Sequence, residues 1–177
     1  MEYWDIYDID RIKTGKIAKR QQGLQQGEYH LVVHVCIFNS KGEMLIQQRQ
    51  PFKQGFPNLW DITVGGSALV NETSRDAASR ELQEELGISI DFSHIRAHMN
   101  VNFDFGFDDI YLLETDIELS QLVLQPEEVQ QAKWASESEI LQMIENHTFI
   151  PYYPSLIQLF FASRKQYGCH QIYSLER

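Results

Sequence analysis

Short apolar segments separated by turn-forming residues run through most of the chain, and this pattern predicts β-strands. His30–Phe38 carries apolar residues at both alternating sets of positions, which indicates a strand that is buried on both faces. The turn at 39–42 and the apolar residues of 43–49 predict the returning strand of a hairpin. Further strands are predicted at 60–64, ending at the glycine pair 65–66, at 95–105 and 109–116 around a turn at Gly106, and at 132–136.

Capping residues predict three helices. Thr73 and Asp76 can form a capping box and Gly87 is a stop signal, so the clearest helix spans 74–86. Two more helices follow, one from a cap at Ser136 and Glu139 to about residue 146 and one from Pro154 to near Gly168.

The alternation of strands with a few helices indicates a mixed α/β domain with a central sheet. A length of 177 residues fits a single domain, 1–177. Within it we expect an N-terminal arm or hairpin at 1–27, a core at 28–146, and a C-terminal helix and tail at 147–177.

Composition and charge exclude several classes of protein. Acidic residues outnumber basic ones by 25 to 15, for a formal charge of −10, whereas wrapping a nucleic acid polymer needs a basic surface. No apolar run is long enough to cross a bilayer, so we expect no membrane insertion. The first residues lack the features of a signal peptide and Cys36 and Cys169 lie far apart, which favours a cytoplasmic location. Cys36 lies in an apolar strand and is expected to be a small buried hydrophobic residue.

Three glutamates lie on one side of the helix predicted at 74–86. At about 100° per residue, Glu81, Glu84 and Glu85 fall within an arc of roughly 100° beside the apolar face. Each pair of like charges at this spacing costs about 0.2–0.5 kcal/mol on an exposed helix. Mg²⁺ or Mn²⁺ would remove that repulsion, so the spacing predicts a metal site, although a solvated acidic face fits it equally well. Arg80 can hold one glutamate by a bidentate contact, and Glu84, one turn later, is the natural partner.

The same segment resembles the Nudix box: a glycine, five residues, Glu, seven residues, Arg-Glu, an aliphatic residue, one residue, Glu-Glu, one residue, Gly and an aliphatic residue. The matching residues are Gly66, Glu72, Arg80, Glu81, Leu82, Glu84, Glu85, Gly87 and Ile88. Nine specified positions over 23 residues form a far more specific signal than a lone glycine-rich loop.

This resemblance implies the Nudix α/β/α sandwich with a central mixed β-sheet, over roughly residues 28–146. It also implies metal-dependent hydrolysis of a phosphoanhydride bond in a small phosphorylated substrate, such as a nucleoside diphosphate linked to another moiety, with Mg²⁺ or Mn²⁺ as cofactor. The roles that it implies are metal ligands at Glu81, Glu84, Glu85 and the Gly65 carbonyl, an orienting role for Arg80, and structural roles for Gly66, Glu72 and Gly87.

The family commonly draws another carboxylate, as a ligand or general base, from outside the box. The candidates here are Asp108, Asp109, Glu127 and Glu128. We select Glu128, because residues 127–134 resemble a recurrent segment just before the last core strand. A solvated loop is the alternative interpretation of each candidate.

Residues 5–8, 14–16, 28–31 and Trp60 are similar to the isopentenyl diphosphate isomerase branch of the superfamily. That branch has a cysteine where this chain has Gly65 and a metal-binding histidine where it has Ser67. The complete box favours hydrolysis over isomerisation. His30 matches another metal histidine of that branch, but without its partners we expect it, like His34, to be buried and hydrogen-bonded. An isomerase-like enzyme and a catalytically silent nucleotide-binding module stay as alternatives.

Substrate specificity is expected to come from residues outside the box. The predicted substrate-binding residues are Arg49, Trp60, Phe105 and Phe107, and further candidates for stacking on a base are Phe52, Phe56 and Phe103. Phe105 and Phe107 are expected at a hairpin tip, on the rim of the site, whereas core packing is the favoured alternative for Trp60. The sequence leaves open both the second moiety of the substrate and whether the protein is a homodimer.

Overall fold

In a computed structural model, which describes residues 2–170, the chain begins with an antiparallel hairpin of β1 (Tyr3–Tyr7) and β2 (Lys13–Lys19). The hairpin packs on the rest of the protein. Trp4 stacks on His30 with ring centroids 4.2 Å apart, and Tyr7 forms a β-bridge with Tyr29. A hairpin was one of the two forms expected for this segment, and a short 3₁₀ turn, Arg20–Gln22, follows it.

Seven strands form the central sheet. They are β3 (His30–Phe38), β4 (Met44–Arg49), β5 (Trp60–Asp61), β6 (Val64–Ser67), β7 (Met99–Phe103), β8 (Gly106–Glu114) and β9 (Val129–Ala135). The order is β5-β4-β3-β8-β7, with β6 also paired to β3 and β9 to β4. Because β3 and β8 run parallel while the other pairs are antiparallel, the sheet is mixed, as predicted.

Helices cover both faces of the sheet. They are α1 (Ser74–Leu86), α2 (Glu137–Glu145) and α3 (Pro154–Ser163). On one face, Leu82 of α1 packs in a core with Val33 of β3. On the other, Phe160 of α3 packs with Cys36 and Phe38 of the same strand, so both faces of β3 are buried, as is the Cys36 side chain. The predicted α/β/α layering is confirmed. Within residues 2–170, the structure contains no helix with the length and apolarity needed to span a membrane.

The strand predicted at 60–64 is interrupted in the structure. β5 pairs with β4, β6 pairs with β3, and the residues between them cross from one strand to the other. Thr63 explains the break: its hydroxyl donates to Leu45 O at 2.5 Å and accepts from Ile37 N at 2.9 Å. β3 and β4 are themselves in register at Phe38 and Met44. Thr63 therefore bridges two strands that diverge beyond that point.

Other predicted boundaries are also wrong. β7 begins at Met99 and not at residue 95, and β9 begins at Val129 and not at residue 132. The β7–β8 hairpin turns at Asp104 and Phe105, while Gly106 is the first residue of β8. Gly106 is closely covered, since a Cβ there would lie 2.4 Å from His30 O. Its lack of a side chain therefore serves strand packing. The last helix ends at Ser163, several residues before Gly168.

Candidate active site

A cleft of about 120 Å³ lies between α1, β6 and the loop that precedes β9, and we call it the carboxylate cleft. Its lining residues are Glu2, Arg20, Arg49, Lys53, Gly65, Gly66, Ser67, Leu69, Arg80, Glu81, Glu84, Glu85, Gln125 and Glu128. The structure thus brings the three box glutamates, the glycine pair and Glu128 to one place.

Local signals place the glutamates on α1. The capping box between Thr73 and Asp76 is present, and Gly87 ends the helix in a left-handed conformation at φ 70°. Glu81 and Glu85 are buried together with the apolar face of the helix, whereas Glu84 is exposed. The carboxylate cluster therefore extends from the interior of the protein to its surface.

Arg80 binds several of these acidic groups at once. Its bidentate partner is Glu72, through Nε at 2.7 Å and Nη2 at 3.0 Å, so the predicted bidentate pairing with Glu84 is wrong. Nη1 donates single hydrogen bonds to Glu81 at 2.9 Å and to Glu84 at 3.0 Å. Glu72 also accepts from Leu69 N at 2.8 Å, which ties the loop before the helix to the arginine. The repulsion expected among the glutamates is partly offset by this cation.

Glu85 has the most perturbed environment of the three glutamates. Burial raises the pKa of its carboxyl to about 8, and the nearby charge of Glu81 acts in the same direction. Gln47 on β4 opposes this effect by donating from Nε2 to Glu85 Oε2 at 2.6 Å. A positive charge in the cleft would therefore favour the ionised form of Glu85 strongly.

The glycine pair separates two crowded regions. Successive residues of a strand point to opposite faces, and both faces of β6 are occupied here. A Cβ on Gly66 would lie 1.9 Å from Glu81 Oε1, and a Cβ on Gly65 would lie 2.4 Å from His34 Cδ2. Both positions therefore require glycine for lack of space.

A polar network lies on the His34 side of Gly65. Nδ1 of His34 is 2.7 Å from Asp108 Oδ2, and Nε2 is 3.4 Å from the Tyr152 hydroxyl. That hydroxyl donates to buried Asp61 at 2.9 Å. His34 is thus hydrogen-bonded and largely enclosed, as expected. His30 is buried and its pKa is lowered to about 4, but its Nδ1 has no hydrogen-bond partner among residues 2–170, so the predicted hydrogen bonding is not met at that atom.

A second and larger cavity of about 660 Å³ adjoins the carboxylate cleft, and we call it the basic cavity. The two share Glu2, Arg20, Arg49 and Lys53, and the basic cavity is also lined by Lys19, Phe52, Gln54, Gly55 and Glu127. Four cationic side chains thus converge beside the glutamates in a protein of strongly negative net charge. Arg20 and Lys19 come from the N-terminal hairpin region, and sequence reasoning missed them because they are far from the box along the chain.

The four candidate carboxylates from outside the Nudix box lie in different parts of the structure. Glu128 lines the carboxylate cleft and forms an ion pair with Lys53. Glu127 lines the basic cavity, whereas Asp109 is buried and pairs with Arg11 at 2.7 Å. Asp108 belongs to the His34 network, so of the four only Glu128 shares a cavity with the box glutamates.

The aromatic candidates for substrate binding also differ in burial and position. Phe107 is buried in the core on the α1 face and packs near Tyr7, so the predicted rim position is wrong. Phe105 is exposed at the β7–β8 turn, and Trp60 packs against the core on the other face; neither lines the two cavities. Phe52 is exposed and lines the basic cavity.

The fold and the helix-borne carboxylates agree with the comparisons with known proteins. Residues 28–156 match the family model of the NUDIX domain, and the chain belongs to the Nudix hydrolase family. An uncharacterized Nudix hydrolase of Listeria monocytogenes is 50% identical over 160 residues, covering 90% of this chain and 94% of the relative. Isopentenyl-diphosphate Delta-isomerase of Halorhodospira halophila is 26% identical over 170 residues, covering 89% and 94%.

Solved structures share the fold. The crystal structure of DR0079 from Deinococcus radiodurans has a TM-score of 0.72 and 25% identity, covering 90% of this chain and 97% of that one. The NUDIX domain of Shewanella oneidensis NrtR, complexed with ADP ribose, has a TM-score of 0.58 and 18% identity, covering 84% and 92%. The protein is a Nudix hydrolase and therefore an enzyme of the pyrophosphohydrolase class. Membership of this family indicates hydrolysis of a nucleoside diphosphate derivative, and enzymes of the family generally need divalent metal ions.

Proposed function

We propose that this enzyme hydrolyses the phosphoanhydride bond of a nucleoside diphosphate linked to another moiety. In this proposal Glu81, Glu84, Glu85 and the Gly65 carbonyl bind Mg²⁺ or Mn²⁺. One observation carries the proposal: the carboxylate cleft opens directly beside the basic cavity, so that a cation site and a site for anionic groups share a wall.

The glutamates suit a divalent ion. In each of them one oxygen accepts a hydrogen bond within the protein. Arg80 donates to Glu81 and to Glu84, and Gln47 donates to Glu85. The other oxygen of each has no hydrogen-bond partner within 2–170. Oxygen donors of this kind are those that Mg²⁺ and Mn²⁺ prefer. As they stand, no three acidic, histidine or cysteine side chains of the described residues already converge on one ion position.

The chain's own residues supply the remaining functions. Arg49, Lys53 and Arg20 line both cavities and can bind the phosphate groups through charge-assisted hydrogen bonds. A bound divalent ion would neutralise phosphate oxygens and lower the pKa of a water molecule. Glu128 is our candidate to accept a proton from that water, because it lies in the same cleft and Lys53 holds its carboxylate.

The basic cavity suits the part of the substrate beyond the cleaved bond. Its volume of about 660 Å³ is in the range of small-molecule sites. Phe52 offers an exposed ring for stacking on a base, and the four cations favour a substrate rich in phosphate. A nucleoside diphosphate compound of the ADP-ribose type fits this combination of a ring and anionic groups.

The test is a panel assay. Purified protein is incubated with nucleoside diphosphate sugars, dinucleoside polyphosphates and isopentenyl diphosphate, with Mg²⁺, with Mn²⁺ and with EDTA. We expect metal-dependent release of phosphate esters from at least one nucleoside diphosphate compound and none with EDTA. Tight binding of a nucleotide without turnover would support a silent binding module, and isomerisation of isopentenyl diphosphate would support the isomerase alternative. Either result would contradict the proposal.

A further inference from the structure

Gln47 lies on β4 between the apolar core and the residues that line the two cavities. The side chains of Leu45 and Gln47 project to the same face of the strand, because residues two apart in a regular strand share a face. Arg49 follows a register shift of the strand after Gln48. Leu45 is in the core beneath α1, and Arg49 lines the carboxylate cleft and the basic cavity. Gln47 stands at the boundary, and it is only 3% exposed.

The nitrogen and the oxygen of the Gln47 amide differ in their hydrogen bonding. Nε2 donates to Glu85 Oε2 at 2.6 Å, and this is the hydrogen bond that the structure gives the Glu85 side chain. Oε1 is buried and has no hydrogen-bond partner among residues 2–170. A buried polar atom left without a partner costs about 1–3 kcal/mol. An apolar residue of similar size would avoid that cost, so packing alone does not account for a glutamine.

The neighbouring Gln48 provides the contrast. Its amide is satisfied at both ends, since Nε2 donates to Asn58 O at 2.9 Å and Oε1 accepts from Gln131 at 2.6 Å. Neither glutamine lines a cavity, but Gln48 has no hydrogen bond to a box glutamate. The two adjacent residues therefore differ in that Gln47 alone of the pair is bonded to a box glutamate, while its own oxygen is unpartnered.

We propose that Gln47 is a positioning residue for the divalent-ion site. Its Nε2 fixes one oxygen of Glu85, so that the other oxygen is left free for the ion. This inference rests on the proposed function, because it takes Glu85 to be a ligand. It adds a residue from outside the box, on a different element of the fold.

A purely structural role and a positioning role differ in their effect on Mn²⁺ affinity. Gln47→Met keeps the length of the side chain but removes both the hydrogen bond to Glu85 and the unpartnered oxygen. One unsatisfied buried atom is lost and another, Glu85 Oε2, is created, so metal-free stability does not separate the two roles. If Gln47 only packs and bonds, the folded variant binds Mn²⁺ like wild type; if Gln47 positions Glu85 for the ion, Mn²⁺ affinity falls.

The experiment measures Mn²⁺ binding by electron paramagnetic resonance and by calorimetry, without substrate, for wild type, Gln47→Met and the matched control Gln48→Met. We expect Gln47→Met to bind Mn²⁺ about tenfold or more weakly, as is typical when a group that orients a ligand is lost. Gln48→Met should bind like wild type. Thermal unfolding in EDTA on the same samples shows that each variant is folded.

Either of two outcomes would overturn the inference. These are unchanged Mn²⁺ affinity in a folded Gln47→Met protein, or an equal loss of affinity in Gln48→Met. If Gln47→Met does not fold, Gln47→Leu replaces it in the same comparison. A wild-type protein that binds no Mn²⁺ would instead refute the metal step of the proposed function, so the two failures can be told apart.

Discussion

Gly65 and His34 face each other across the β6–β3 ladder, and the imidazole occupies the space that a side chain on Gly65 would need. A Cβ there would lie 2.4 Å from His34 Cδ2 and 2.7 Å from Nε2. Asp108 and Tyr152 hold the ring in this position. The site therefore excludes any side chain at the position where the isomerase branch resembled by this chain has a cysteine.

The first prediction concerns Gly65→Cys. We expect no isomerisation of isopentenyl diphosphate, because Ser67 stands where that branch has a metal histidine, and we expect a loss of stability from overpacking against His34 of about 1–3 kcal/mol. Denaturant unfolding and an isomerase assay measure the two effects. Gly55→Cys is the control, since nothing lies within 4 Å of a Cβ at Gly55. Equal stability of the two variants would show that the contact with His34 is unimportant.

The second prediction concerns Glu85→Gln. The change removes a charge at nearly constant shape, so metal-dependent turnover should fall by at least 100-fold while circular dichroism and thermal unfolding show an intact fold. Glu118→Gln, at an exposed residue outside both cavities, should retain full activity. Wild-type rates in Glu85→Gln would remove Glu85 from the metal site.

The third prediction concerns stability and pH in the absence of metal. The pKa of Glu85 is about 8 in the folded protein, above its value of about 4.3 in an unfolded chain. Between these two pH values the folded state binds more protons than the unfolded state. The contribution of Glu85 to stability is therefore fully present below about pH 4 and is lost as the pH rises to about 8. The loss is of the order of a few kcal/mol.

Thermal unfolding in EDTA between about pH 5 and pH 8 tests this linkage. Wild type should lose more stability over that interval than Glu85→Gln, and Mn²⁺ should reduce the difference. The comparison isolates Glu85, because the raised pKa values of Glu81 and Asp61 act in the same direction in both proteins. Parallel curves for the two proteins would contradict the raised pKa.

The fourth prediction separates two phenylalanines. Phe107 is buried in the core, so Phe107→Ala should cost about 3–5 kcal/mol of stability. Phe52 is 67% exposed and lines the basic cavity, so Phe52→Ala should raise KM for the substrate with little change in stability. Kinetics and denaturant unfolding on both variants check this, and a KM effect without a stability effect in Phe107→Ala would reverse the assignment.

Features with local signals were predictable from the sequence. The helix α1 spans the predicted residues because its capping box and its terminal glycine act within a few residues of each end. Both faces of β3 are buried, as its apolar pattern indicates. The gathering of three glutamates on α1 follows from helical periodicity, although their unequal burial depends on how the helix packs.

Features that depend on tertiary contacts were missed or wrong. The break between β5 and β6 follows from side-chain hydrogen bonds of Thr63 to two other strands, which no local pattern encodes. Phe107 follows an exposed turn in sequence but points into the core. Lys19, Arg20 and Gln47 reach the site from elements far from the box, and a basic or amide residue in those segments carries no signal of its own.

Thr63 also bears on the shape of the site. β3 pairs with β6, which carries the glycine pair, while β4 carries Gln47 and Arg49. The Thr63 hydroxyl links β3 to β4 where they separate, so an uncharged residue that lines neither cavity joins the two strands behind the cleft. Removal of that hydroxyl is therefore expected to alter the spacing of the cleft walls from inside the sheet, without changing any residue that lines the site.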